Sequence, residues 1–124
     1  MSKYSLIILS IVLVGIGCGE ANQHQVDTFT TSNANSPAYQ EGLALVAKSN
    51  CLSCHQINEQ ATGPAYVSIA KKYTDNPEKI DQLSNKIING SVGVWGQVPM
   101  NAHPNIAKAD AEKMVRYILL LKEK

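Results

Sequence analysis

The run Cys51-Leu52-Ser53-Cys54-His55 decides how the rest of this chain is read. C-x-x-C-H is the attachment signature for a c-type haem. Each cysteine sulfur can form a thioether with one haem vinyl group, and two intervening residues bring both sulfurs to one porphyrin edge. The adjacent histidine then meets the iron from the same side. A bare C-x-x-C is less specific, and two other chemistries use it. A redox dithiol wants a βαβ context, which this sequence does not show. A structural zinc site needs four ligands, usually as two pairs. The chain has three cysteines, and one of them, Cys18, sits in a leader segment. Neither His24 nor His103 has a partner at zinc-like spacing. The residues favour haem attachment, with the dithiol and zinc readings as the alternatives.

A haem makes a demand elsewhere in the chain. Iron that carries electrons without binding small molecules wants a second axial ligand. Histidine plus methionine provides it and raises the potential, because thioether sulfur favours ferrous iron. Past the leader the chain holds Met100 and Met114. Met114 falls in a helical apolar pattern and reads as core. Met100 falls in Trp95-Gly96-Gln97-Val98-Pro99-Met100, a loop by its Gly and Pro content. A loop can wrap to the far side of a porphyrin, whereas a side chain in mid-helix would need the whole helix to cross that face. Met100 is therefore the expected sixth ligand. The competing readings are His103 as ligand and Met100 as a plain surface or gap-filling methionine.

The start of the chain reads as processing. Lys3 gives a short basic region, and 6–16 is an apolar run too short to span a bilayer. Gly17-Cys18 follows at once. A cysteine directly after such a run is similar to a lipoprotein cleavage site, at which the thiol is acylated and becomes the first residue of the mature protein. The usual leucine three positions earlier is Gly15 here. The alternative is an ordinary secretory signal cut nearby, which leaves an odd thiol exposed in an oxidising space. Either route takes the chain out of the cytoplasm, and bacteria attach c-type haem outside the cytoplasmic membrane. The cysteine account then closes, with Cys51 and Cys54 for haem and Cys18 for lipid.

Residues 19–36 are polar, poor in large apolar residues, and read as a flexible tether. Coil of that length has an end-to-end distance of roughly 25 Å. His24 and Phe29 lie in it without an assigned role. The expected organisation is a signal peptide over 1–17, acylated Cys18 and tether over 18–37, and one domain over 38–124. The formal net charge of +1 and the lack of any basic tract exclude a nucleic-acid partner. Lys71, Lys72, Lys79 and Lys86 are interspersed with acidic residues and read as solvated surface, or as charges that steer a partner.

Four helices are expected in the domain. Over 38–50, Tyr39, Leu43, Val46 and Ala47 recur at near-helical spacing and lead straight into the haem motif. After the turn Thr62-Gly63-Pro64, residues 65–73 form a second short helix. Asn76 is placed as N-cap of a third, with Pro77 at its first position, Ile80, Leu83, Ile87 and Ile88 on one face, and Asn89-Gly90 as its stop. The last covers about 108–122. It carries an apolar stripe through Ala111, Met114, Val115, Ile118, Leu119 and Leu121, Asp110 and Glu112 near its positive end and Lys122 near its negative end. It is expected to cross the first helix, with Gly42 opposite Tyr117. No run shows the period of two that a strand needs. The domain is thus all-α and small, so its own core is modest. A central haem supplies the apolar body that short helices close around, and the apo-chain should be largely unfolded.

With Cys51-x-x-Cys54-His55, Thr62-Gly63-Pro64-Ala65-Tyr66 and Asn89-Gly90-Ser91-x-Gly93-x-Trp95-Gly96-x-x-Pro99-Met100 in this order, residues 38–124 resemble the small bacterial class I monohaem cytochromes c. The resemblance implies one covalent haem c wrapped by four short helices with crossed terminal helices, and His55 and Met100 as axial ligands. It implies that the Pro64 carbonyl accepts a bond from the other His55 ring nitrogen, which would orient the ring and raise its basicity. It also implies that Trp95 lies beside a haem propionate and can donate its N–H there. Relatives often follow the ligand methionine with two prolines and an asparagine, where this chain has Asn101-Ala102-His103-Pro104.

The function expected from these readings is one-electron transfer by a monomer in the periplasm, held to a membrane by lipid, between redox protein partners. It would not be an enzyme, because both axial positions would be filled. The rival readings are a haem enzyme or gas sensor in which Met100 is displaceable, and a docking subunit of an oxidase or reductase.

Overall fold

The computed structural model describes residues 34–122; Cys18, the leader and most of the tether lie outside the described residues. Four α-helices lie wholly within the described residues: α1 Pro37–Lys48, α2 Tyr66–Lys72, α3 Pro77–Asn89 and α4 Lys108–Leu120, with a 3-10 turn at Cys51–Ser53 between α1 and α2. No strand occurs among the described residues, and one isolated antiparallel bridge joins Ser91 to Met100.

The start signals act as the residue types require. Ser36 caps α1, its Oγ accepting from Tyr39 N at 3.2 Å, so the helix begins at Pro37, one residue earlier than Ala38. Asn76 caps α3 through Oδ1, which accepts from Lys79 N at 2.9 Å, and Pro77 follows it. The stops come sooner than periodicity suggested. Helix α1 ends at Lys48, because Asn50 turns left-handed at φ 56° to open the 3-10 turn. Helix α4 ends at Leu120, leaving Lys122 beyond its last turn. Gly90 takes a positive φ of 78° after α3, with an extended ψ of 172° in place of the compact left-handed conformation.

Helix α4 packs on each of the other three and most extensively on α1. At that crossing Gly42 is buried, and a Cβ placed on it would overlap Tyr117 Cβ and the Lys113 carbonyl oxygen. The close approach lets Val46, Tyr66, Met114, Tyr117 and Ile118 form one buried cluster. Ile80, Val115 and Leu119 form a second, with Tyr73, Leu83 and Ile87 packed against it. Ala47, expected on the apolar face of α1, is exposed. At the start of α4 no side chain caps Ala107. Instead Lys108 Nζ reaches α3, pairing with Asp81 at 2.8 Å and donating to Asn85 Oδ1 at 2.8 Å.

Candidate haem site

The C-x-x-C-H run sits on the 3-10 turn that follows α1. The Cys51 carbonyl accepts from both Cys54 N at 3.2 Å and His55 N at 3.0 Å, and Ser53 Oγ donates to the Asn50 carbonyl at 2.8 Å. This tight coil holds two sulfurs and an imidazole on one short stretch of backbone. Cys54 is exposed and Cys51 half-buried. Burial pushes the Cys51 thiol up from its ordinary value, and the Tyr66 hydroxyl beside it offsets part of that rise.

His55 is buried at 9 % exposure. Its Nδ1–H donates to the Pro64 carbonyl at 2.8 Å, so Nε2 keeps the free lone pair. Three features hold the ring. Tyr66, at the start of α2, stacks on it at 5.4 Å between centroids and 15° between planes. Gly63 presses against it so closely that a Cβ there would lie 2.5 Å from His55 Cε1. Gly63 N in turn donates to the Cys54 carbonyl at 2.8 Å, strapping the loop to the motif. Tyr66 itself is 2 % exposed, and burial holds its phenol well above the usual tyrosine range.

Met100 closes a loop that begins at Ser91. Met100 N donates to the Ser91 carbonyl at 2.8 Å and Ser91 N to the Met100 carbonyl at 3.2 Å, while Gly93 N donates to the Gly96 carbonyl inside the loop at 3.0 Å. Gly90 packs under it, a Cβ there falling 2.7 Å from the Met100 carbonyl oxygen. His103 N donates to the carbonyls of Ile87 and Ile88 at 3.1 Å, satisfying the end of α3. That bond gives the residue a backbone task, whatever its imidazole does. Trp95 is 43 % exposed, with Lys72 Nζ 5.3 Å from its ring centroid.

All of these segments face one cavity of about 410 Å³. Cys51, Cys54, His55 and Pro64 line it from the motif side, and Trp95, Met100 and His103 from the loop. Val46, Ile69, Leu83, Ile87, Val115 and Ile118 supply apolar walls from all four helices. Met114, expected as plain core, is buried in the first cluster and also lines this space. The six residues expected within the domain as haem-site residues are therefore neighbours around one space, and Cys18 lies outside the described residues. Sequence reasoning missed Gly63 against His55, Tyr66 on its ring and Lys72 over Trp95. Only Gly63 carried a signal, since a glycine beside a turn proline invites the question of what lies against it.

An apolar cleft with two sulfurs, an imidazole nitrogen and a thioether at its rim fits one haem better than a metal ion, which would want a compact polar donor set. The class of protein defined by this fold and site is a small helical shell around a single covalently attached haem c.

The cytochrome c family model matches residues 39–122. Cytochrome c-552 of Nitrosomonas europaea is 42% identical over 96 residues, covering 77% of this chain and 93% of that protein. Cytochrome c-551 of Allochromatium vinosum is 37% identical over 89 residues, covering 72% and 95%. The crystal structure of wild-type Nitrosomonas europaea cytochrome c552 superposes with a TM-score of 0.61 at 44% identity, covering 64% of this chain and 99% of that one. This chain belongs to the cytochrome c family, as a small bacterial class I monohaem member with one covalently bound haem c. Its relatives, the cytochromes c-552 and c-551, are electron carriers.

Proposed function

We propose that this protein carries single electrons between redox proteins outside the cytoplasmic membrane, with Cys51 and Cys54 as thioether donors and His55 and Met100 as axial ligands. The observation that carries the reading is the pairing at the cavity rim: an imidazole whose Nδ1 is committed to Pro64, and a methionine on a bonded loop lining the same space. When bound, the haem supplies an iron that cycles between ferric and ferrous states. The chain's own residues do the rest. Pro64, Gly63 and Tyr66 fix the His55 ring, so little rearranges when the charge changes. The Ser91–Met100 pairing holds the thioether in place against exogenous ligands. Apolar walls from all four helices limit the access of water and so favour the less charged, reduced state.

The test is the ferric absorption spectrum of wild type and Met100→Ala. The weak iron–thioether charge-transfer band is expected in the first and lost in the second; survival of the band removes Met100 from the ligand set. Slow, weak binding of carbon monoxide to the ferrous protein is expected, and rapid binding would favour a gas sensor or haem enzyme. We further propose lipid attachment at Cys18 and a periplasmic, membrane-tethered location. The sequence around Cys18 supports it, and release of Cys18→Ser to the soluble fraction tests it.

A further inference from the structure

Helix α2 touches both rims of the cavity. At its first residue Tyr66 stacks on His55, and at its last residue Lys72 reaches Trp95. Trp95 and Met100 belong to one loop and line the cavity, whereas Lys72 lies outside it. The loop's own hydrogen bonds, Ser91 with Met100 and Gly93 with Gly96, close it on itself but do not tie its tip to the helices. The Lys72 ammonium 5.3 Å from the Trp95 centroid is within cation–π range. It adds a side-chain tie from the loop to α2, the same helix that backs the opposite ligand.

We propose that Lys72 is a positioning residue for Met100: by holding the Trp95 ring, it fixes the methionine loop to the helix that also supports His55, and so resists displacement of Met100. This rests on Met100 being the ligand. Lys72 touches no reacting atom; it acts through Trp95. An exogenous ligand binds only when the loop lifts, so its apparent affinity scales with the population of the lifted loop. A cation–π contact at an exposed site shifts that population by about 2- to 5-fold.

The experiment uses ferric holoprotein and titrates imidazole at about pH 8, where imidazole is largely neutral, following loss of the iron–thioether band. Lys72→Met should raise the apparent imidazole affinity about 2- to 5-fold, and Lys72→Arg, which keeps a cation, should stay near wild type. In a Trp95→Leu background the same Lys72→Met change should do nothing more. Trp95→Phe, with a weaker ring face, should retain part of the coupling and serves if Trp95→Leu does not take up haem. Equal affinity of Lys72→Met and wild type overturns the proposal. So does an equal gain with and without Trp95, which would mark a bare charge effect. Wild type lacking the thioether band would instead sink the ligand assignment itself, and this proposal with it.

Discussion

Gly42→Ala sets two physical effects against each other at the crossing of α1 and α4. Helix propensity favours alanine over glycine by about 1 kcal/mol in a helix interior. Packing opposes it. A Cβ at Gly42 would sit 2.5 Å from the Lys113 carbonyl oxygen and still closer to Tyr117 Cβ. Ordinary carbon contacts are about 3.5–4.0 Å, so the two helices must part by about 1 Å. Neither neighbour is the flexible end of a side chain, so neither can swing aside. Overpacking of this kind costs about 1–3 kcal/mol, and backbone against backbone belongs at the upper end. The net expectation is a loss of about 2 kcal/mol, or about 8–16 °C in Tm for a domain of this size. Guanidinium unfolding of the holoprotein, followed by haem absorbance and circular dichroism, should show a lower midpoint at unchanged slope. Ala44, exposed on the same helix, calibrates the other effect: Ala44→Gly should lose about 1 kcal/mol. Opposite substitutions two residues apart should thus both destabilise. A Gly42→Ala variant as stable as wild type, or more so, would show that the crossing has slack and that the packing argument is wrong.

Gly63→Ala should displace the His55 ring, because a methyl there would fall 2.5 Å from Cε1 and under 3 Å from both ring nitrogens; a reduced yield of low-spin haem protein in the absorption spectrum checks it. Gly90→Ala should cost about 1–2 kcal/mol, from the positive φ and the contact with the Met100 carbonyl, and imidazole should displace the thioether more readily. Burial pushes the Tyr117 phenol up to about 12. Its folded value lies above the ordinary value of about 10, so its contribution is complete below about pH 10 and is lost as pH rises towards about 12. Unfolding midpoints measured across that window should fall, and Tyr117→Phe should flatten the fall; an unchanged slope would point to another group. Haem removal should leave a largely unfolded chain, and a native-like helical circular dichroism spectrum of apo-protein would contradict this.

The helices were legible because their signals are local. Asn76 and Pro77 mark the start of α3, and the apolar spacing of α4 shows its buried stripe. The Gly42–Tyr117 approach was legible too, since a lone glycine on an apolar face needs a neighbour. The ends of α1 and α4 were less so. Asn50 leaves the helix through a left-handed residue for which periodicity has no symbol. Within the site, the motif residues announce themselves by type and spacing. The supports of His55 and Trp95 do not, because Tyr66 and Lys72 reach their partners through tertiary packing between distant segments. Tyr66 looks like any apolar helix residue and Lys72 like any surface lysine until the fold is known.

Met114, Val115 and Ile118 belong at once to the buried clusters and to the wall of the cavity. Nothing insulates the one from the other. A change of a single methyl on that stretch of α4 alters how tightly the molecule holds together and how its cofactor is surrounded in the same stroke. Natural variation along this helix should therefore move melting temperature and redox potential in tandem, and an engineer who wants to shift one without the other must work from the opposite rim.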